Sequence, residues 1–138
     1  MPRGGRRYPD HDGRPVILIV DDHVDSRELL SAVLTEVGVT TAEAGTGAEA
    51  LRRAADIPTP SLIFIDLALP DCHGTAVVRT LKQDPSTSSI PIVAVSASVM
   101  AADKQAAASA GCTAFLEKPV LPDDVLDLVR RLLSSAEA

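Results

Sequence analysis

Asp21, Asp22, Asp66, Ser96 and Lys118 are the residues of this chain whose types and placement could do chemistry together. Each follows a short, mostly apolar run: VILIV before the acidic pair, LIFI before Asp66, IVAV before Ser96 and AFLE before Lys118. An ionised carboxylate resists burial, and like charges in contact resist it more. Three carboxylates brought to one place therefore need a cation, and hard oxygen donors suit Mg²⁺, which keeps open positions for phosphate oxygens. An ammonium and a hydroxyl then supply donors to the remaining oxygens, as phosphoryl transfer requires. Crowding alone also predicts that losing one acid, as in Asp22→Ala or Asp66→Asn, leaves the metal-free chain no less stable.

Each residue taken singly has a plainer explanation. Adjacent acids after a strand bias a helix N-terminus, an aspartate can serve a turn, a serine can cap a helix, and a lysine is usually solvated. The chemistry rests on their meeting, so the elements that carry them decide the matter.

Leu29, Leu30, Val33, Leu34 and Val37 recur at helical spacing after the first strand, and Gly38 ends the run. VTTAEA reads as a shorter, less apolar strand nearer an edge. Thr46 and Glu49 form a capping box that opens the helix GAEALRRAADI, closed by Pro58 and Pro60. SLIFIDL and IPIVAVSA are continuous apolar strands. They are separated by GTAVVRTLKQD, which is helical up to Asp84-Pro85. An Ala-rich helix runs to Gly111, TAFLEKP is the last strand, and Pro122 opens the last helix. Strand and helix alternate five times over. Buried strands alternating with amphipathic helices imply an α/β parallel sheet covered on both faces. Right-handed crossovers bring every strand's C-terminal end to one edge, where such sheets bind ligands. The acids, the hydroxyl and the ammonium are all expected at that edge.

Composition narrows the remaining classes. With 138 residues the chain is expected to form a single domain, and with 46% hydrophobic but 2% aromatic content its core is built from Val, Leu, Ile and Ala. No apolar run approaches the roughly 20 residues of a membrane span, so no membrane association is expected and the setting is expected to be cytoplasmic. A net charge of −6 argues against direct DNA binding. Cys72 and Cys112 form no metal motif and are expected as free thiols at opposite ends of the sheet. Residues 1–14, with four arginines among Gly and Pro, read as a flexible basic tail ahead of a domain at 15–134, with 135–138 as a C-terminal tail.

ILIVDDH, LIFIDLALPDCHG, IPIVAVSA and FLEKP together resemble the response-regulator receiver domain of two-component signalling, with similarity from about Pro15 to Leu133. The resemblance implies a flavodoxin-like fold with strand order 2-1-3-4-5. By it, Asp66 is the phosphoacceptor, Asp21, Asp22, Asp66 and the carbonyl of Ala68 bind Mg²⁺, Ser96 holds a phosphoryl oxygen, and Lys118 bridges to it. The Lys118-Pro119 bond is implied to be cis, and Phe115 falls on the aromatic switch position that works with Ser96. It implies a regulatory domain that assists its own phosphotransfer and autodephosphorylation, not an enzyme. The stretch from Ile90 to Val120 is closest to stand-alone and hybrid-kinase-associated receivers. The implied partners are a sensor histidine kinase or a histidine phosphotransfer protein. A downstream protein effector would bind the face of the fourth helix, fifth strand and fifth helix.

Some positions depart from the common pattern. Phe115 lacks the hydroxyl of the frequent tyrosine. Ala68 and Ser98 are small and uncharged where the family tunes dephosphorylation. His23 and His73 are set aside as metal ligands, because an Asp-rich site takes Mg²⁺, and Gly74 is expected to permit the turn beside His73. Two readings compete: a haloacid-dehalogenase-type phosphatase, which wants an Asp-x-Asp after its first strand, and a receiver-like module that docks proteins without phosphorylation. A flavodoxin proper would need aromatic flanks for a flavin, and this chain has few aromatics.

Overall fold

The computed structural model describes residues 15–56, 59–97 and 100–137. The expected basic tail at 1–14 and the site-flanking Ser98 lie outside the described residues. The order of elements is β1 (Val16–Val20), α1 (Val24–Glu36), β2 (Thr40–Ala44), α2 (Gly47–Ala54), β3 (Leu62–Asp66), α3 (Gly74–Gln83), β4 (Ile92–Ser96), α4 (Ala101–Ala110), β5 (Ala114–Glu117) and α5 (Pro122–Glu137). Among the described residues the strands form one parallel sheet in the order β2-β1-β3-β4-β5, the flavodoxin-like order. α5 runs through Glu137, so residues 135–137 extend the last helix instead of forming a separate tail.

Alternation along the central strands builds two cores, because successive side chains point to opposite faces. Ile17 and Ile19 of β1 join Phe64, Val93 and Val95 under α1 and α5, against Leu34, Val125 and Leu128. Leu18 and Val20 join Ile63, Ile65 and Ile92 on the other face, against Ala50, Ala54, Val78 and Leu81 of α2 and α3. β1, β3 and β4 are buried along their whole length, whereas edge strands β2 and β5 are mostly half-buried. The less apolar VTTAEA is thus an edge strand, as its composition implied.

Two helices differ from expectation. Of the α1 stripe only Leu30 and Leu34 are buried; Leu29 and Val37 are 56% and 49% exposed. Leu30 and Leu34 make one i, i+4 row over the sheet, while Leu29 sits on the flank beside Pro119 and Val120. α2 stops at Ala54, three residues earlier than expected. There the amides of Ala55 and Asp56 bond the carbonyls of Arg52 and Arg53, tightening the final turn. Its opening is half as expected: Thr46 Oγ1 accepts from the Glu49 amide as in a capping box, but the Glu49 carboxylate accepts from Gly45 N at 2.8 Å, one residue before the N-cap whose amide such a box uses.

Candidate functional site

Four strands end along one edge and deliver the expected groups there. Asp21 follows β1 and is 6% exposed, Asp66 ends β3 at 4%, Ser96 ends β4 at 8%, and Lys118 follows β5. The ends are held in step by backbone bonds, Leu67 N to Val95 O at 3.1 Å and Lys118 N to Ser96 O at 2.8 Å. Lys118 Nζ donates to Asp66 Oδ2 at 2.8 Å and to Asp21 Oδ2 at 3.1 Å. The chain therefore supplies a cation of its own to the crowded acids. The Lys118-Pro119 bond is cis, as the resemblance implied.

Electrostatics follow from these contacts. Burial pushes the Asp21 carboxyl up, but the His23 amide and the Lys118 ammonium outweigh it and hold the group below its ordinary value. For Lys118, burial works against the charge, and the hydrogen bonds and charges of Asp66 and Asp21 more than offset it, so its pKa is raised.

The loop after β3 folds back onto the strand end. Ala68 N donates to Asp66 Oδ1 at 2.9 Å, Gly74 N donates to Leu67 O at 2.8 Å, and Ala68 bridges to His73. Gly74 is required for close approach and not, as expected from sequence, for an unusual turn: a Cβ there would lie 2.6 Å from Asp66 O. His73 caps α3, its Nδ1 accepting from Thr75 N at 3.3 Å, consistent with setting it aside as a metal ligand.

His23 behaves differently. Its Nδ1 lies 3.2 Å from Asp21 Oδ1 and 3.2 Å from Asp22 Oδ1, and one donor atom from each of Asp21, Asp22, His23 and Asp66 lies within 4.8 Å of the others. The sequence reading excluded this histidine; the structure brings it into the acid cluster. Three carboxylates in that space fit a hard divalent cation.

The family model of the response regulator receiver domain matches residues 17–130. The chain belongs to that family. As a receiver, it is 30% identical over 120 residues to the polar-differentiation response regulator DivK of Brucella ovis, covering 87% of this chain and 97% of DivK. It superposes with TM-score 0.84 at 25% identity on a CheY-like receiver domain protein from Methanospirillum hungatei, over 90% of this chain and 97% of that one. The Mn²⁺-bound form of response regulator Rcp1 superposes with TM-score 0.72 at 26% identity, over 87% and 92% of the two chains. Receivers are regulatory domains of two-component signalling, so the phosphatase reading falls away. Among the described residues no helix is long and apolar enough to cross a membrane.

Sequence reasoning missed two supports of this receiver site, the Arg27–Glu43 pair and Asp71. Arg27 Nη1 donates to Asp21 O at 2.7 Å while its Nε donates to Glu43 Oε1 at 2.9 Å, so α1 and β2 together hold the backbone of the acidic pair. Asp71 accepts from Gly47 N at 2.8 Å and Ala48 N at 3.0 Å, fastening the β3–α3 loop to α2. Phe115, expected at the switch position, is half-buried beside Leu67, Ala94 and Ala107, with Lys104 Nζ 5.8 Å from its ring centre.

Proposed function

We propose that this receiver accepts a phosphoryl group on Asp66 from the phosphohistidine of a sensor kinase or histidine phosphotransfer protein, in a Mg²⁺-dependent step. It then signals by a change in which protein it binds. The observation that carries this reading is the Asp66 carboxylate, buried at a strand end. One of its oxygens is on Lys118 Nζ, the other is on the Ala68 amide, and Asp21 sits alongside.

The acceptor role follows from that setting. A carboxylate oxygen of Asp66 attacks phosphorus, the new O–P bond forms as the P–N bond breaks, and the electron pair returns to the donor imidazole. Asp21, Asp22, Asp66 and the carbonyl of Ala68 would hold the Mg²⁺, which supplies positive charge to the transferring oxygens. Lys118, already within hydrogen-bonding distance of Asp66, donates to a phosphoryl oxygen. Ser96, at the end of the neighbouring strand, donates to another.

Membership of the receiver family also implies that the chain assists its own dephosphorylation; Ala68, small and exposed beside Asp66, does not shield a phosphoryl group there from water. The effector face is formed by α4, β5 and α5, reached from Ser96 through Phe115. The cytoplasm is the natural setting for such a relay, and the match over 97% of DivK supports a single-domain regulator.

The test is intact-mass measurement after incubation with a phosphoramidate donor. One phosphoryl addition is expected with Mg²⁺, and none with chelator or in Asp66→Asn. Persistent modification of the Asn variant overturns the assignment.

A further inference from the structure

We propose that His23 is a ligand of the ion held by the acidic pair, and that its imidazole biases this site toward divalent transition ions such as Mn²⁺ and Co²⁺ over Mg²⁺. The inference rests on the reading that Asp21 and Asp22 hold a divalent cation. Donors bound side by side on one ion at about 2.0–2.2 Å lie about 3 Å from each other. His23 Nδ1 stands 3.2 Å from Asp21 Oδ1 and 3.2 Å from Asp22 Oδ1, close to that spacing from both at once. Lys118 takes the other Asp21 oxygen, Oδ2, so it does not occupy the side of Asp21 that His23 faces.

A second histidine in the same fold serves as an internal comparison. His23 and His73 both stand at helix N-cap positions after a strand of the sheet. The His73 ring does what an N-cap side chain ordinarily does and accepts from an amide of its helix. His23 makes no side-chain cap; its ring lies against the two carboxylates, while its own amide donates to Asp21 Oδ1 at 2.9 Å. The ring is 67% exposed on its side chain, so no packing forces that orientation.

Against ionised carboxylates, which only accept, Nδ1 carries the proton and donates; when an ion takes that place, the imidazole binds it as the other neutral tautomer, with the proton on Nε2 and the Nδ1 lone pair toward the ion. Imidazole nitrogen suits transition ions, whereas Mg²⁺ prefers oxygen and water. Replacing one water of the ion's shell by Nδ1 therefore adds affinity for Mn²⁺ or Co²⁺ and little for Mg²⁺.

Calorimetric titration of the wild type, His23→Ala and His23→Gln with Mg²⁺ and with Co²⁺ tests this, alongside proton spectra of the Co²⁺ forms. The expected result has three parts. His23→Ala and His23→Gln each lose about tenfold or more in Co²⁺ affinity. Both stay within about twofold of the wild type for Mg²⁺. The hyperfine-shifted, exchangeable imidazole proton of the Co²⁺-loaded wild type disappears in both. An unchanged Co²⁺ affinity with normal Mg²⁺ binding overturns the ligand role and leaves the receiver reading standing. Equal losses for both ions overturn it too, and reduce His23 to a hydrogen-bond partner of the acids. Failure of the wild type to bind either ion overturns the acid-site reading on which the inference rests.

Discussion

Crowding of like charges predicts relief when an acid is removed, and Lys118 reverses that sign for Asp66. Its ammonium lies 2.8 Å from Asp66 and 3.1 Å from Asp21, so the metal-free site is an ion triad with three members rather than a bare acid cluster. Removing Lys118 would leave two buried carboxylates without their cation, and breaking a buried pair costs about 3–5 kcal/mol. Lys118→Ala is accordingly expected to lower stability in chelator by about 2 kcal/mol or more, the smaller figure allowing for water at the rim. Asp66→Asn keeps the Asp21–Lys118 pair, and its loss should be about 1 kcal/mol. Asp22→Ala, at a more exposed side chain, should fall within about 0.5 kcal/mol of the wild type. Urea melts in chelator measure all three. Added Mg²⁺ should stabilise Lys118→Ala more than the wild type, since the ion replaces the missing charge. A Lys118→Ala chain as stable as the wild type would contradict the triad.

At the scale of elements, the loop that follows Asp66 is positioned by a helix it does not precede. Thr46 Oγ1 serves the Glu49 amide at the start of α2, and Asp71 serves the amides of Gly47 and Ala48, so one loop completes the cap of another element. The approach is tight enough that a Cβ at Gly47 would collide with Cys72 Sγ. The Gly47 and Ala48 amides hold the Asp71 carboxyl below its ordinary value of 3.8. The folded state thus favours the ionised form. Its contribution is present above pH 3.8 and is lost as pH falls through the lower, folded value. Wild type should therefore lose more stability than Asp71→Asn on acidification from pH 5 toward pH 2, as read by parallel denaturant titrations; identical pH profiles would count against the clasp. The Thr46–Glu49 cap was legible in the sequence because its partners are three residues apart and obey a local pattern. Asp71, whose partners lie 24 and 23 residues upstream, was not, nor was the Arg27–Glu43 pair. The strand-end acids were legible because continuous apolar runs fix where a strand stops. Leu29 misled because helical spacing reports a stripe but not which row of it meets the sheet. His23 misled because its residue type predicts less than the direction its N-cap backbone gives it.

Across the whole molecule the packing is uneven, and that asymmetry bears on the proposed route from Asp66 to the α4–β5–α5 face. Large aliphatic cores pin α1 and α5 on one face and α2 and α3 on the other. α4 contributes only two alanines, Ala110 to the second of these cores and Ala107 to a small cluster with Leu67 and Ala94 that is bordered by Phe115 and Cys112. Leu67 is the neighbour of Asp66 in sequence, and Ala94 is paired with Phe115 in the sheet register. Every link from Asp66 to α4 is therefore a direct contact or a bonded neighbour. An element held by alanines has few apolar contacts to lose when it shifts, so α4 should open more readily than α3. Phosphorylation brings close to two negative charges to Asp66, and a modification shifts an equilibrium only through differential contacts. A move of Ser96 toward those charges would free space beside β5 for the Phe115 ring, drawing it from under Lys104 and changing the surface of α4. Ser96→Ala and Phe115→Ala are thus expected to retain Mg²⁺ affinity and phosphorylation of Asp66 while losing the response of α4 and β5. Amide exchange in α4 should be faster than in α3 in every form. Chemical-shift mapping with a phosphoryl mimic should show changes at Ala101–Ala110 and Ala114–Glu117 in the wild type that shrink in both variants. Shifts confined to the acid cluster, with α4 and β5 silent in the wild type, would show that the signal does not leave by this face.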